Sequence, residues 1–382
     1  MNKNILDIDL NSIPTPIYIL IEDLLENNLK TLDMVQKASG AQIICALKGF
    51  AMFSTFPMVK KFLKGTTASS LHEALLGYHE FGNEVHAYSP AYIPKDFPKI
   101  MEVCNHITFN SLSEWERYQS IVQHADRQIS CGLRINPEYS EVETDLYNPC
   151  IPGSRLGVTA AVLGDTLPQG IEGLHVHTLC ESNAEALERT LLAVEEKFGH
   201  LLHQAKWLNL GGGHAITAKG YDLELLISLV QNLKENYQLE IILEPGSAVG
   251  WETGYLVATV LDLVKNGDTQ TAMLDTSFAA HMPDCLEMPY KPLILQADEN
   301  GRFTYNMGGS TCLAGDQILN YNFEQELNVG DKLVFNDMIH YTMVKNNTFN
   351  GVNLPAIGIQ RKSGEIEIIK EFGYDDYKTR LS

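Results

Sequence analysis

Residues 42–48 read QIICALK, a short apolar run that ends in a lysine. A continuous apolar run of this length has the pattern of a strand buried on both faces, as in a parallel sheet. The same unit recurs downstream. TTAS (66–69), EVHAYS (84–89), HITF (106–109), ISCGLRI (129–135), GLHVH (173–177), WLNL (207–210) and EIILE (240–244) bring the count to eight. Helix-like stretches lie between them, among them SLHEALLGYHEFG, SLSEWERYQSIVQHA and NAEALERTLLAVEEKFGHLLHQ. Eight strand–helix units in about 200 residues match a TIM-type (β/α)8 barrel. After residue 250 the pattern changes. TGYLVATVLDLV, TAMLDTS, RFTYNM, DKLVFNDM and EIEIIKEF alternate like strands and are parted by Gly, Asn and Asp. The early TPIYILI reads as a strand that pairs with this second part. The expected architecture is therefore α/β, with a barrel over residues 28–248 and a β-rich domain built from 1–27 and 249–382.

Bulk properties narrow the function. The chain has 382 residues, with 45% hydrophobic and 20% charged, the balance of a water-soluble globular protein. The net charge of −20 disfavours nucleic acid and anionic membranes as partners and favours a cationic small molecule. No apolar run reaches the roughly 18 residues of a membrane span. The opening MNKNILDIDL has no signal-peptide core. Seven scattered cysteines point to a reducing cytoplasm, and they form no zinc pattern.

Barrel enzymes carry their chemistry at the C-terminal ends of the strands. Here those ends supply Lys48, Ser69 and Ser70, Arg134, His177, the triplet Gly211, Gly212 and Gly213, and Glu244 followed by Pro245 and Gly246. A lysine at the mouth of a buried strand loses solvation, which lowers its pKa and yields a nucleophilic amine. Three glycines before a helix either make a tight turn or let backbone N–H groups approach a phosphate. A carboxylate in the place of Glu244 either caps a turn or holds a pyridinium nitrogen protonated. His175 and His177 share a strand face. They read as an HxH metal pair or as a core histidine beside one that packs on an aromatic cofactor; no lysine or paired carboxylates complete a metal set. In the β-rich part, Cys312 and Asp316 lie in a Gly-rich loop, where a thiol is placed to donate a proton.

Six ordered motifs, ALKGF, HVHTLC, LNLGGGH, LEPGSAVG, GGSTCLAGD and YTMVKNNTFNG, together resemble the alanine racemase-fold, or fold-type III, decarboxylases that use pyridoxal 5'-phosphate (PLP). The resemblance runs from Thr15 to Gly351. Within that group the chain most resembles the carboxynorspermidine/carboxyspermidine decarboxylases, with HTLCE, EPGS, HMPDCLEMPYKP and YNPCIPGSRLG as the marking stretches. EPGS stands where diaminopimelate enzymes carry EPGR, which argues against diaminopimelate. The resemblance implies that Lys48 binds PLP covalently, that His177 packs on its ring and that Gly211–Gly213 and Tyr341 bind its phosphate. It further implies that Glu244 pairs with the ring nitrogen, that Arg134 approaches the phenolic oxygen and that Cys312 returns a proton after CO2 leaves. Asp284, Glu287, Asp316 and Glu244 become candidates to bind a carboxylated polyamine. Cys312 and Asp316 would reach the site of a partner subunit, so a homodimer with shared sites is implied. Diaminopimelate or ornithine decarboxylation, and a non-catalytic PLP-binding homologue, are the alternatives.

Overall fold

The computed structural model describes Ile5 and residues 9–382. The chain forms two compact units, Asn27–Val249 and Met1–Glu26 with Gly250–Ser382. Strand β1 (Ile17–Ile21) belongs to the latter. The next eight strands close a parallel barrel: β2 (Gln42–Ala46), β3 (Gly65–Ala68), β4 (Glu84–Tyr88), β5 (His106–Phe109), β6 (Ser130–Arg134), β7 (Gly173–His175), β8 (Trp207–Asn209) and β9 (Glu240–Leu243). Closure is made by β2 against β9, with Gln42 opposite Ile242 and Ile43 opposite Leu243. Each apolar run in the sequence is one of these strands. The ladders stop short of several runs because Leu47, Ser89, Val176, His177, Leu210 and Glu244 leave the sheet to build the rim.

The barrel helices begin where local chemistry allows. Ser70 accepts from the Glu73 N–H (3.4 Å), Ser111 from Glu114 (3.2 Å), Asn183 from Ala186 (3.0 Å) and Asp222 from Leu225 (2.9 Å). Each such cap is worth about 1 kcal/mol. The barrel interior is packed rather than hollow. Trp207 fills it, and a Cβ on Gly132 or Gly173 would lie 2.2 Å or 1.9 Å from the indole, so both positions are glycine for want of space. Trp207 packs in turn with Ile44 and Ile242.

In the second unit, β10 (Gly254–Asn266), β11 (Thr269–Leu274), β12 (Phe303–Gly308), β13 (Gln317–Phe323), β14 (Lys332–Asn336), β15 (Ala356–Gln360) and β16 (Ile366–Lys370) join β1 in one sheet. Its order is β13-β12-β11-β10-β1-β15-β16, with β14 also on β10. The sheet is mostly antiparallel; β1–β15 and β11–β12 are parallel. The early strand thus sits mid-sheet, all five of its residues buried. Two strands, β13 and β15, have no counterpart in the sequence reading. β13 follows directly on the Gly-rich loop, and β15 is split by Gly358. Among the described residues, no helix is long and apolar enough to cross a membrane.

Candidate active site

Barrel closure brings the ends of β2 and β9 into backbone contact. The Ala46 N–H donates to Pro245 O at 3.0 Å. A Cβ on Gly49 would lie 2.7 Å from the Gly246 Cα, so the two segments pass this closely only because position 49 is glycine. Lys48 and Glu244 therefore line one cleft, together with Ser69, Tyr88, Arg134 and His177. Desolvation pulls the Lys48 amine below the ordinary lysine range; Glu244 opposes this and Arg134 adds to it. A larger share of that amine is thus neutral and nucleophilic at pH 7.

Glu244 is buried. Burial alone would raise its pKa, but His175 and Asn209 outweigh it and hold the carboxyl below the usual range. Asn209 Nδ2 donates to Oε1 at 2.7 Å, and His175 Nε2 lies 3.5 Å from Oε2. His175 itself is kept neutral by burial. The His177 pKa is pushed well down, first by burial and then by Lys48 and Arg134. Its Nδ1 accepts the Gly212 N–H at 2.9 Å, which fixes the ring and leaves the proton of the neutral imidazole on Nε2. Arg134 ends β6, donates to His177 O at 2.9 Å and lies 4.8 Å above the Tyr88 ring.

The glycine triplet is shaped by its neighbours. Gly211 and Gly213 have φ of +68° and +83°. Cβ atoms at the three positions would fall 2.6 Å from His177 Nδ1, 2.5 Å from Glu244 O and 2.0 Å from Leu179 O. The N–H of Gly211 is bound to Asn209 Oδ1 at 2.8 Å, and that of Gly212 to His177. An anion in this cradle would therefore draw on the Gly213 N–H, while the other two glycines shape the loop. A desolvated amine, an ionised buried carboxylate and a side-chain-free cradle on one rim fit the aldehyde, ring nitrogen and phosphate of PLP.

His175, His177 and Glu244 also offer ligand atoms within 4.8 Å of one another. Two features weigh against a metal there. His177 Nδ1 is already occupied, and Arg134 places a fixed cation beside the same cleft.

The structure thus brings together Lys48, Arg134, His177, Gly211–Gly213 and Glu244. Sequence reasoning passed over Asn209 and Tyr88. Asn209 lies two residues after Trp207 on β8, so it shares the inward face, and period-two reading could have found it.

The other candidates lie in the sheet unit. Cys312 is exposed between β12 and β13, and its N–H donates to Asn350 Oδ1 at 2.8 Å. Asp316 is buried. Its Oδ2 accepts from Ser277 Oγ (2.9 Å), Thr311 N (3.1 Å) and Thr311 Oγ1 (2.6 Å), and its Oδ1 from Ala279 N (3.0 Å). That carboxylate braces the Cys312 loop and has little capacity left for a substrate amine. Asp284 and Glu287, on the short helix Asp284–Glu287, converge on a cation of this same chain, Lys345. Tyr341 begins the helix Tyr341–Val344.

A closed parallel barrel with a separate sheet unit is the build of the alanine racemase-like fold. The chain matches the family model described as "Pyridoxal-dependent decarboxylase, C-terminal sheet domain" over residues 20–339, which reaches through both units. It is 52% identical over 375 residues to carboxyaminopropylagmatine decarboxylase of Synechocystis, covering 97% of this chain and 96% of that one. It is 45% identical over 381 residues to carboxynorspermidine/carboxyspermidine decarboxylase of Campylobacter jejuni, covering 96% and 98%. The crystal structure of carboxynorspermidine decarboxylase from C. jejuni complexed with norspermidine superposes with a TM-score of 0.89 at 44% identity, covering 96% of this chain and 100% of that one. The chain belongs to the pyridoxal-dependent decarboxylase family.

Replacement of Glu244 by Gln tests the role of the anion. The variant should keep its circular dichroism spectrum and lose at least ~10²-fold in decarboxylation, the usual worth of one positioned electrostatic group. Near-normal kcat/KM would contradict the role.

Proposed function

We propose that this chain is a PLP-dependent decarboxylase that removes the α-carboxylate of carboxynorspermidine or carboxyspermidine to release norspermidine or spermidine. The observation that carries the reading is Lys48 and Glu244 on one cleft of the barrel, in a chain of which 96–97% aligns with the carboxyaminopropylagmatine and carboxynorspermidine/carboxyspermidine decarboxylases. The net charge of −20 suits a polycationic substrate and product. The seven free cysteines suit a reducing cytoplasm.

PLP, when bound, supplies an electron sink for the pair left on the α-carbon as CO2 departs. Each of the chain's residues has a separate task. The Lys48 amine holds the cofactor. Glu244, kept ionised, accepts the ring N–H and so keeps that nitrogen protonated. His177, fixed by Gly212, would offer a neutral ring for the cofactor to pack on, and Arg134 would offer a donor to its phenolic oxygen. The Gly213 N–H would bind the phosphate; for Tyr341 the support for the same role is the motif in which it stands. Cys312 Sγ returns one proton to the former α-carbon, which balances the loss of CO2. Asp316 acts by holding the Cys312 loop. Asp284 and Glu287 reach a substrate amine only in competition with Lys345, an arrangement that suits a weak, exchangeable contact.

A second reading concerns the far end of the substrate. The identity to the carboxyaminopropylagmatine enzyme is higher than to the carboxynorspermidine/carboxyspermidine enzyme, 52% against 45%. The two substrate types share the amino-acid head and differ in a distal guanidinium or ammonium. CO2 release should be compared for carboxynorspermidine, carboxyspermidine, carboxyaminopropylagmatine, diaminopimelate and ornithine. The proposal expects the first two to be turned over with kcat/KM at least ~10-fold above the last two, a difference of about 1.4 kcal/mol. A maximum on carboxyaminopropylagmatine favours the second reading. A maximum on diaminopimelate or ornithine overturns both.

The homodimer is part of the proposal. Cys312 sits on an exposed loop beside the exposed Leu313, and its bond to Asn350 links that loop to the exposed Phe349, a surface suited to a second copy. If the sites are shared, mixing Lys48→Ala with Cys312→Ala chains should restore up to about a quarter of wild-type activity, from one intact site in mixed dimers. Proven subunit exchange with no restored activity would place Cys312 outside the partner's site.

A further inference from the structure

The end of the barrel away from Lys48 holds a second group of chemically capable side chains. Glu84 opens β4 and His106 opens β5, and His86 lies two residues into β4, on the same strand face as Glu84. The rings of His86 and His106 stack with centroids 4.1 Å apart and planes 5° from parallel. His86 is buried at 3% exposure, and its Nε2 is 3.4 Å from Glu84 Oε2. Gln42 donates from Nε2 to that same oxygen. Trp207 closes over His106 edge-on, with centroids 5.4 Å apart.

One nitrogen in this cluster is out of place. His106 Nδ1 is buried and has no hydrogen-bond partner among the described residues. Buried polar atoms in native proteins nearly always have a partner, and an exception points to a missing water or ion. The charge around it favours a cation. Glu172 is neutralised by Lys206, whereas Glu84 has no Lys or Arg partner among the described residues. The rim cluster of His175, His177 and Glu244 differs in having Lys48 and Arg134 beside it.

We propose that Glu84, His86 and His106 form a binding site for a divalent d-block cation such as Zn2+ or Co2+. Their ligand atoms all lie within 4.8 Å of one another. Atoms that close reach the ~2.0–2.2 Å ligand shell with inward shifts of under about 1 Å each. The stack opens by rotation of His106 about its Cβ–Cγ bond, a soft torsion, which turns Nδ1 toward the ion. Two imidazoles and a single carboxylate select a borderline d-block ion over Mg2+ or Ca2+, which take oxygen ligands. Gln42 is the outer partner that orients the carboxylate. The N-terminal face of a barrel serves stability rather than chemistry, so the ion ties β4 to β5 and leaves decarboxylation untouched.

The test is a Co2+ titration of the holoenzyme, followed by visible absorption and thermal melting, with His106→Phe and Glu84→Gln in parallel. Phe keeps the stack and removes both nitrogens. Wild type should bind one equivalent and melt at a higher temperature with the ion present. Each variant should bind at least ~10-fold more weakly, as loss of a metal-site residue predicts. Turnover without added metal should be the same in all three. If His106→Phe fails to fold, Glu84→Gln, a change at a half-exposed side chain, decides the matter. Wild-type titrations superimposable on those of the folded variants, or no saturable binding at all, would overturn the site and leave the buried nitrogen to a water.

Discussion

The site depends on barrel closure between β2 and β9. That pairing joins the first barrel strand to the last, so Lys48 and Glu244, distant in sequence, share a rim. The contact is made of backbone: Gly49 against Gly246, and Ala46 N–H to Pro245 O. A side chain at Gly49 would press on the Gly246 backbone and push the strand ends apart. The triplet Gly211–Gly213 obeys the same rule. Its neighbours His177, Glu244 and Leu179 leave no room for a Cβ.

Electrostatics follow from that enclosure. Burial acts on opposite charges in opposite ways: it makes the Lys48 amine easier to deprotonate and would make Glu244 harder to ionise. The fold lets the first effect stand and cancels the second with the N–H donor of Asn209 and the nearby His175 ring. A lysine amine that gives up its proton more readily than usual and a neutral pair of imidazoles thus surround one retained anion, with Arg134 as the fixed cation. Asn209 matters doubly, because the same amide also holds the Gly211 N–H.

Much of this was legible in the sequence because a barrel places function at strand ends. Once eight apolar runs are counted, the residues that follow them are the rim, and Lys48, Arg134, His177, the glycines and Glu244 come directly from that rule. The strand β15 was not legible because Gly358 interrupts its alternation, and β13 was not because it runs on directly from a Gly-rich loop that hides its start. Hydrogen-bond partners were hidden more deeply. Nothing in the local sequence says that the N–H groups of Gly211 and Gly212 are already bound to Asn209 and His177. Nor does it say that Asp284 and Glu287 meet Lys345, some sixty residues on, or that Asp316 spends its oxygens on its own loop. Such pairings arise only when distant segments fold together, and they separate residues that touch a ligand from residues that brace it.

The central claim is that the lysine after the first barrel strand carries the cofactor. Borohydride reduction of the holoenzyme, followed by proteolysis and mass spectrometry of the labelled peptide, tests it directly. A reduced pyridoxyl group on Lys48, and on no other lysine, is the result expected from a desolvated amine on this rim. A label on a different lysine, or a holoenzyme that retains PLP with Lys48 unmodified after reduction, would contradict it.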